Sequence, residues 1–559
     1  MPRRDEMWDR LGGTVDVLIV GGGINGAGIA RDAARRGLSV AMVEMVDLAF
    51  GTSSRSSKLV HGGLRYLEQY EFSLVFEAVS ERRILMDIAP HLVNPLGFIF
   101  PIYQGARRKL WFVNAGMWIY DGLSLFRSPK MHRTLSADQL AECEPALKRD
   151  AIQGAPLYYD CSTDDARLTL ESAIDAAHAG AIVTTYAKVV SFIKDDNGRV
   201  AGAIIEDVAG GGLKEVRAHA VVNATGPWTD RTLAMSKPPT EGTLLRPTKG
   251  VHIVVDRDKL PINNALVAFH PEDGRVLFAI PWGGATYIGT TDTDYDGDPS
   301  AVRADRGDVE YLLDAAAWYY PEHRLSPDDV IATWAGLRPL IKPEGAPTGT
   351  GESQVSREHR IIVGQDGLIT IAGGKLTTFR RMSEEVVDTV VRLLRLSNRL
   401  PSGVVKSETD AVPLPGAVGW PADDDHEHVA ALVRDASGDV VSPETARLLA
   451  NTYGMLGMEV ARLVRQVPEL ARPIVEGRPE IMAQVDWAVN TEMASEVGDV
   501  MIRRTQLFYR DADQGLTAAD AVGQRMATLL GWSDERRDAS IQAYRDTVGV
   551  ARAWKDDPA

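Results

Sequence analysis

The sequence predicts an α/β protein in three parts: a Rossmann-like domain, a mostly antiparallel β-sheet domain and a helical C-terminal domain. Three observations predict it. The apolar run Val15–Val20 ends in a glycine-rich turn and feeds a helix-forming stretch. Residues 240–300 are rich in β-branched and aromatic residues, with turn signals at Asp273–Gly274 and Gly283–Gly284. Residues 429–559 hold many helix formers and almost no strand pattern.

In chain order, Val15–Val20 reads as a buried strand, AGIARDAARRG as a helix stopped by Gly37, and Leu38–Val43 as a second strand closed by Glu44. This is a βαβ unit on a parallel sheet. Glu71–Asp87 has helical spacing and stops before Pro90. Residues 181–205 and 216–222 read as strands, and 377–396 as a helix with Phe379, Met382, Val386, Val390 and Leu394 on one face. Prolines and glycines cluster at 398–428 beside the acidic run Asp423–Asp425, the pattern of a linker or surface loop.

At 559 residues the chain exceeds one hydrophobic core. Lys+Arg 61 against Asp+Glu 77 gives a net charge of −16, the wrong sign for general nucleic-acid binding. Two cysteines, Cys143 and Cys161, are too few for a disulfide scaffold, a structural zinc site or an iron–sulfur cluster, and no metal is expected. The N-terminus lacks a signal-peptide core, and no run of 18 apolar residues occurs. The expected location is the cytoplasm, or the inner face of a membrane as a peripheral protein.

Gly21-x-Gly23-x-x-Gly26 between strand and helix is a dinucleotide fingerprint. Gly21 permits the turn, Gly23 lets the pyrophosphate approach, and Gly26 lets helix and strand pack. Glu44, 18 residues after Gly26, suits the ribose hydroxyls. The fingerprint alone does not choose between NAD and FAD. Two late segments favour FAD: Val221–Trp228, a strand ending in a small-residue turn, and Ile369–Thr378, a strand feeding a helix through Gly373–Gly374. A long flavin nucleotide needs such segments over its isoalloxazine ring, where amides stabilise charge as the ring is reduced.

Taken together, GGGINGAGIARDAARRGLSVAMVE, TSSRSSKLVHGGLRYLE, NATGPW, IGTTDTDY, GLRPL and AGGKLTTFR resemble the FAD-dependent glycerol-3-phosphate dehydrogenases of the D-amino-acid-oxidase-like flavoprotein group. The resemblance covers nearly the whole chain, more loosely at Ile502–Thr505, and departs at Phe50–Gly51 and Arg55. It implies a discontinuous FAD-binding domain at 1–80, 160–240 and 355–400, and a substrate-binding domain at 81–159 and 241–354. A linker at 401–428 and the helical domain at 429–559 complete the chain. FAD contacts are expected at Gly21, Gly23, Ile24, Asn25, Gly26, Glu44, Thr52, Ser56, Ser57, Lys58, Gly62, Ala224, Thr225, Gly226, Gly373, Gly374, Lys375, Leu376 and Thr377.

The implied reaction oxidises sn-glycerol 3-phosphate to dihydroxyacetone phosphate, with hydride passing from C2 to FAD and electrons to a membrane quinone. A phosphate dianion calls for arginine forks, and the hydroxyl proton for a base of near-neutral pKa. His61 and Arg65, four residues apart, share one face of a helical turn. By resemblance His61 is the general base, or else packs against the flavin, while Arg65 and Tyr66 meet the substrate. Arg338 and Arg357 are expected at the phosphate, Lys375 near the substrate, and Thr291 at the active-site rim or in a plain strand-end turn. The catalytic set is therefore His61, Arg65, Arg338 and Lys375.

Residues 107–133 carry Arg107, Arg108, Lys109, Arg127, Lys130 and Arg133 against one acid, Asp121, interleaved with Trp111, Phe112, Trp118, Tyr120 and Phe126. Such a segment suits an interfacial anchor on an anionic lipid surface, or a buried helix with charged ends. The alternatives are an oxidase of the same substrate using oxygen, an amine or amino-acid oxidase, and an FAD-binding protein without turnover. The C-terminal region suits a regulatory or dimerising cap, and a homodimer is among the expected partners.

Overall fold

The computed structural model describes residues 1–64, 70–106, 108–124, 128–236, 243–342 and 358–558. Two sheets and a set of helices account for them. In the first sheet five parallel strands run in the order Ile369–Ala372, Leu213–Asn223, Gly13–Val20, Val40–Val43 and Ile182–Thr184. Val17–Val20 and Val40–Val43 are buried on both faces, as near-continuous apolar strands must be. Helices Ile24–Arg35, Asp165–His178 and Phe379–Leu396 pack together on one face, where Ile29, Ala30, Leu170, Met382, Val386 and Val390 form the core. Leu213–Asn223 also pairs antiparallel with Val200–Asp207, which pairs with Ala187–Lys194.

The region expected to be strand from 181 to 205 is thus three strands. Tyr186, at φ 52°, turns the chain between the first two.

The second sheet is antiparallel except where Ala265–Phe269 meets Val93–Ile99. Its longest ladder pairs Leu245–Asp256 with Val330–Ile341, from Leu245 opposite Ile341 to Val255 opposite Val330. The two glycine turns read from the sequence join Ala265–Phe269 to Val276–Trp282 and Val276–Trp282 to Ala285–Gly289. A third body, from His426 to Arg552, is helical and holds no named strand among the described residues. Its core is built around Val433, Leu449, Tyr453, Val460, Val485 and Val522.

Residues 398–428, which their composition marks as a linker or surface loop, stay largely at the surface. Pro and Gly keep the segment irregular, but it is tied down. Arg31 donates to the carbonyls of Thr409 (3.1 Å) and Val412 (2.6 Å), Gly416 N donates to Glu171 (3.0 Å), and Leu414 is fully buried.

Candidate active site

A cleft of about 440 Å³ opens at the carboxyl ends of the parallel strands, the usual ligand position in such sheets. Five short segments wall it: Gly21 with Gly23–Asn25, Glu44–Met45 with Phe50–Ser53, Ala187–Val189, Ala224–Trp228 and Gly373–Leu376. Each follows or begins a strand of the first sheet, so the sheet sets their spacing.

The first wall follows from close approach. A Cβ on Gly21 would lie 2.6 Å from the carbonyl oxygen of Ala224, and one on Gly26 would collide with the carbonyl of Gly21. Gly26 therefore seats helix against strand rather than lining the cleft, the packing role its place in the fingerprint predicts. Gly23 caps helix Ile24–Arg35 without a side chain, so the positive end of the helix opens on the cleft. Ser53 accepts the Ile24 N–H at 2.9 Å.

Glu44 ends the second strand. Its carboxylate accepts the N–H groups of Gly22 (2.7 Å) and Val46 (3.0 Å), while burial pushes its pKa up. At the far end Gly373 and Gly374 adopt φ of 74° and 91°, conformations that favour glycine. They turn the strand Ile369–Ala372 into the helical turn Leu376–Thr378. Hydroxyl acceptors, a helix terminus and an enclosed carboxylate along one elongated cleft fit a dinucleotide.

Of the expected FAD contacts, Gly21, Gly23, Ile24, Asn25, Glu44, Thr52, Ser56, Ala224, Thr225, Gly226, Gly373, Gly374, Lys375 and Leu376 line this cleft. Ser57, Lys58, Gly62 and Thr377 lie behind it. Ser57 Oγ is 2.9 Å from His252 Nε2. The Lys58 ammonium is buried 2.6 Å from Asp165 and ringed by Trp282, Trp334 and Tyr509, so its charge is neutralised inside the fold. A Cβ on Gly62 would strike the Tyr120 hydroxyl, and its N–H donates to Asp160 (3.1 Å). Thr377 Oγ1 accepts the His61 N–H at 3.1 Å, latching His61 to the turn that ends the cleft.

Arg338 lies on the strand Val330–Ile341, one residue before Pro339, which lines the cleft. It donates to Asp292 (2.8 Å), Thr290 Oγ1 (3.0 Å) and the Thr291 carbonyl (3.3 Å). Thr291 is buried and its hydroxyl accepts the Val251 N–H (3.1 Å), so this side chain braces the strand behind Arg338. Arg65, Tyr66 and Arg357 lie outside the described residues.

Several contributors lie outside the cofactor contacts that the sequence singles out. Phe50 and Trp228 line the cleft with ring centroids 6.4 Å apart, and Ala187–Val189 form a wall from an otherwise ordinary strand. His252 stacks on Trp334 at 4.6 Å, and burial, with Arg338 and Lys58 nearby, holds it neutral. Each depends on chain segments that meet only in the fold.

Residues 16–380 match the FAD dependent oxidoreductase family, and 407–537 match the C-terminal domain of alpha-glycerophosphate oxidase. A glycerol-3-phosphate dehydrogenase of Mycobacterium leprae is 39% identical over 99% of this chain and 92% of its own length. The chain belongs to the FAD-dependent glycerol-3-phosphate dehydrogenase family. An aerobic glycerol-3-phosphate dehydrogenase of Staphylococcus saprophyticus is 36% identical over 97% of this chain and 96% of its own. The fold of this family member matches the crystal structure of the Bacillus halodurans glycerol-3-phosphate dehydrogenase complexed with FAD. That match has a TM-score of 0.80 and 33% identity, over 98% of this chain and 97% of the other. FAD is therefore the cofactor that the cleft accommodates.

Proposed function

We propose that this protein oxidises sn-glycerol 3-phosphate to dihydroxyacetone phosphate and passes the electrons to a membrane quinone. What supports the reading is Lys375 in the lining of the FAD cleft, with Arg338 braced by Asp292 one residue before Pro339, which lines it too. Bound FAD supplies the hydride acceptor. Arg338, held by Asp292 and Thr290, presents its guanidinium to the phosphate, joined in this reading by Arg65, Tyr66 and Arg357. His61, fixed by Thr377 at the end of the cleft, takes the hydroxyl proton. Lys375 orients the substrate, while Thr291 braces the strand behind Arg338 through Val251. In this reading residues 1–80, 160–240 and 355–400 bind FAD, 81–159 and 241–354 bind substrate, and 401–428 link them to the helical domain 429–559.

Attachment to an anionic membrane is supported by the helix Leu110–Leu123, whose Trp111, Phe112, Trp118 and Ile119 are exposed. Among the described residues no helix is long and apolar enough to cross a membrane.

Anaerobic addition of sn-glycerol 3-phosphate is expected to bleach the flavin absorbance, and a quinone analogue to restore it faster than oxygen does. Faster recovery with oxygen would make the protein an oxidase of the same substrate. No bleaching would end the reading. In the same assay His61→Gln is expected to slow bleaching by roughly 10²–10⁴-fold, the range for loss of a general base.

A further inference from the structure

We propose that the C-terminal helical domain is a clasp for FAD, and that Arg503, Arg504 and Asp499 are positioning residues that hold two walls of the cofactor cleft. The three sit on one irregular helical turn, Asp499–Arg504, with the wide i→i+5 pattern that accompanies functional sites.

The first wall is held through Asp47. This carboxylate lies between Glu44 and the cleft-lining Phe50–Ser53, and it is fully buried. Arg503 donates to it at 2.5 Å and Arg504 at 2.7 and 2.8 Å. Burial opposes the charge on Asp47, but the two arginines outweigh it and hold the carboxyl below its ordinary range. Arg503 also lies 5.8 Å over the ring of Phe50.

The second wall is held through Tyr186. Its hydroxyl donates to both oxygens of Asp499, at 2.8 and 2.9 Å, and Ala187–Val189 follow directly as cleft lining. Arg503 bridges the two anchors by donating to Asp499 as well (2.6 Å).

Both walls need holding. Ala49 and Tyr186 adopt φ of 62° and 52°, left-handed conformations that are strained for a side-chain-bearing residue. Such backbone persists only where its surroundings over-determine it. The anchors stand at Tyr186 itself and two residues before Ala49. The walls are also joined to each other, since Tyr186 N donates to Val46 O (2.7 Å) and Ala187 N to Glu44 O (2.7 Å). The Asp499–Arg504 turn therefore sets the loop after the ribose carboxylate and the strand opposite it as one unit. By reciprocity, FAD binding and docking of the helical domain strengthen each other.

The test is flavin release from the holoenzyme, read by the fluorescence of freed FAD on dilution, so it is independent of which substrate is oxidised. Tyr186→Phe removes one hydroxyl, and Arg504→Lys keeps the charge but loses the fork. Each is expected to raise the FAD dissociation constant about tenfold, the worth of a hydrogen bond to a charged group. Val433→Ala opens a cavity in the same helical domain, on helix His426–Ala436. It is expected to lower the melting temperature and leave FAD affinity within about twofold, as distant sites do. Unchanged release from a folded Tyr186→Phe protein would overturn the proposal. Equal loss of FAD from Val433→Ala would do the same, by showing that any weakening of the domain frees the cofactor.

Discussion

Arg338 is placed by its neighbours as much as by its own strand. Gly250 stands in the facing strand, where a Cβ would lie 2.5 Å from the Arg338 Nη2 atom, so glycine makes room for the guanidinium. Asp292 and Thr290 then fix its plane. Arg338→Ala is expected to raise KM for sn-glycerol 3-phosphate by about 10–100-fold, the loss of charged hydrogen bonds, with little change for unphosphorylated glycerol. Arg338→Lys should recover only part, because an ammonium cannot reproduce the fork. Equal KM shifts for the two substrates would remove Arg338 from the phosphate site. At this scale the sequence spoke where chemistry is local. Gly21 and Gly26 are spaced by the turn itself, and Glu44 ends the adjacent strand. By resemblance Lys58 is a FAD contact like Thr52 and Ser56, yet it lies behind the cleft that those two line. Its partner Asp165 lies 107 residues away, and no spacing rule reaches that far.

Among the elements, the helix Leu110–Leu123 joins sequence pattern to surface most directly. It buries Met117, Tyr120 and Asp121 and turns Trp111 (68% exposed) and Trp118 (58%) outward. Asp121, the one acid of the segment, is paired inward with His132 at 2.7 Å. Phe72 and Phe76 of the neighbouring helix Phe72–Ile88 are also exposed. A buried helix with charged ends, one of the two sequence readings, is therefore not what folds. Aromatic and basic residues alternate alike in both cases, and only the packing of this helix separates them. Burying a tryptophan side chain in an interface is worth about 1.5–3 kcal/mol, a tenfold or larger effect. Trp111→Ser with Trp118→Ser is expected to reduce co-sedimentation with anionic vesicles by roughly 100-fold, with melting temperature unchanged. Replacing Arg108 and Lys109 with Glu should instead remove the salt sensitivity of the binding that remains. Full sedimentation of the double tryptophan variant would place the lipid contact elsewhere.

Across the whole molecule, what the sequence left dark is how its parts are joined. The fingerprint, the β-rich middle and the helical end each announce themselves through composition and period. The seams are buried ion pairs between residues far apart, and they carry no periodic signal. Asp175, on helix Asp165–His178, accepts from Arg31 (2.6 Å) and Arg35 (2.6 and 2.5 Å), while Arg31 also holds the segment around Thr409–Val412. One carboxylate thus joins two helices of the FAD domain to the strap that leads into the C-terminal domain. Burial penalises its charge, but the hydrogen bonds and charges of Arg35 and Arg31 outweigh that penalty and hold its pKa below the ordinary carboxylate range. The sign follows: the unfolded chain takes up this proton first as pH falls. The stabilisation is therefore complete above about pH 4 and is lost below it. Asp499 works oppositely, since burial and the charge of Asp47 push it up to about 6. Its contribution fades as pH rises through that value, and it cancels when two proteins that both contain it are compared. Asp175→Asn is expected to cost about 3–5 kcal/mol at pH 7, the penalty for leaving a buried partner unpaired. The difference from the parent protein should shrink steadily below about pH 4, in urea unfolding followed by circular dichroism. A gap of constant size from pH 7 to about pH 3 would mean that Asp175 is not the charged keystone of this seam.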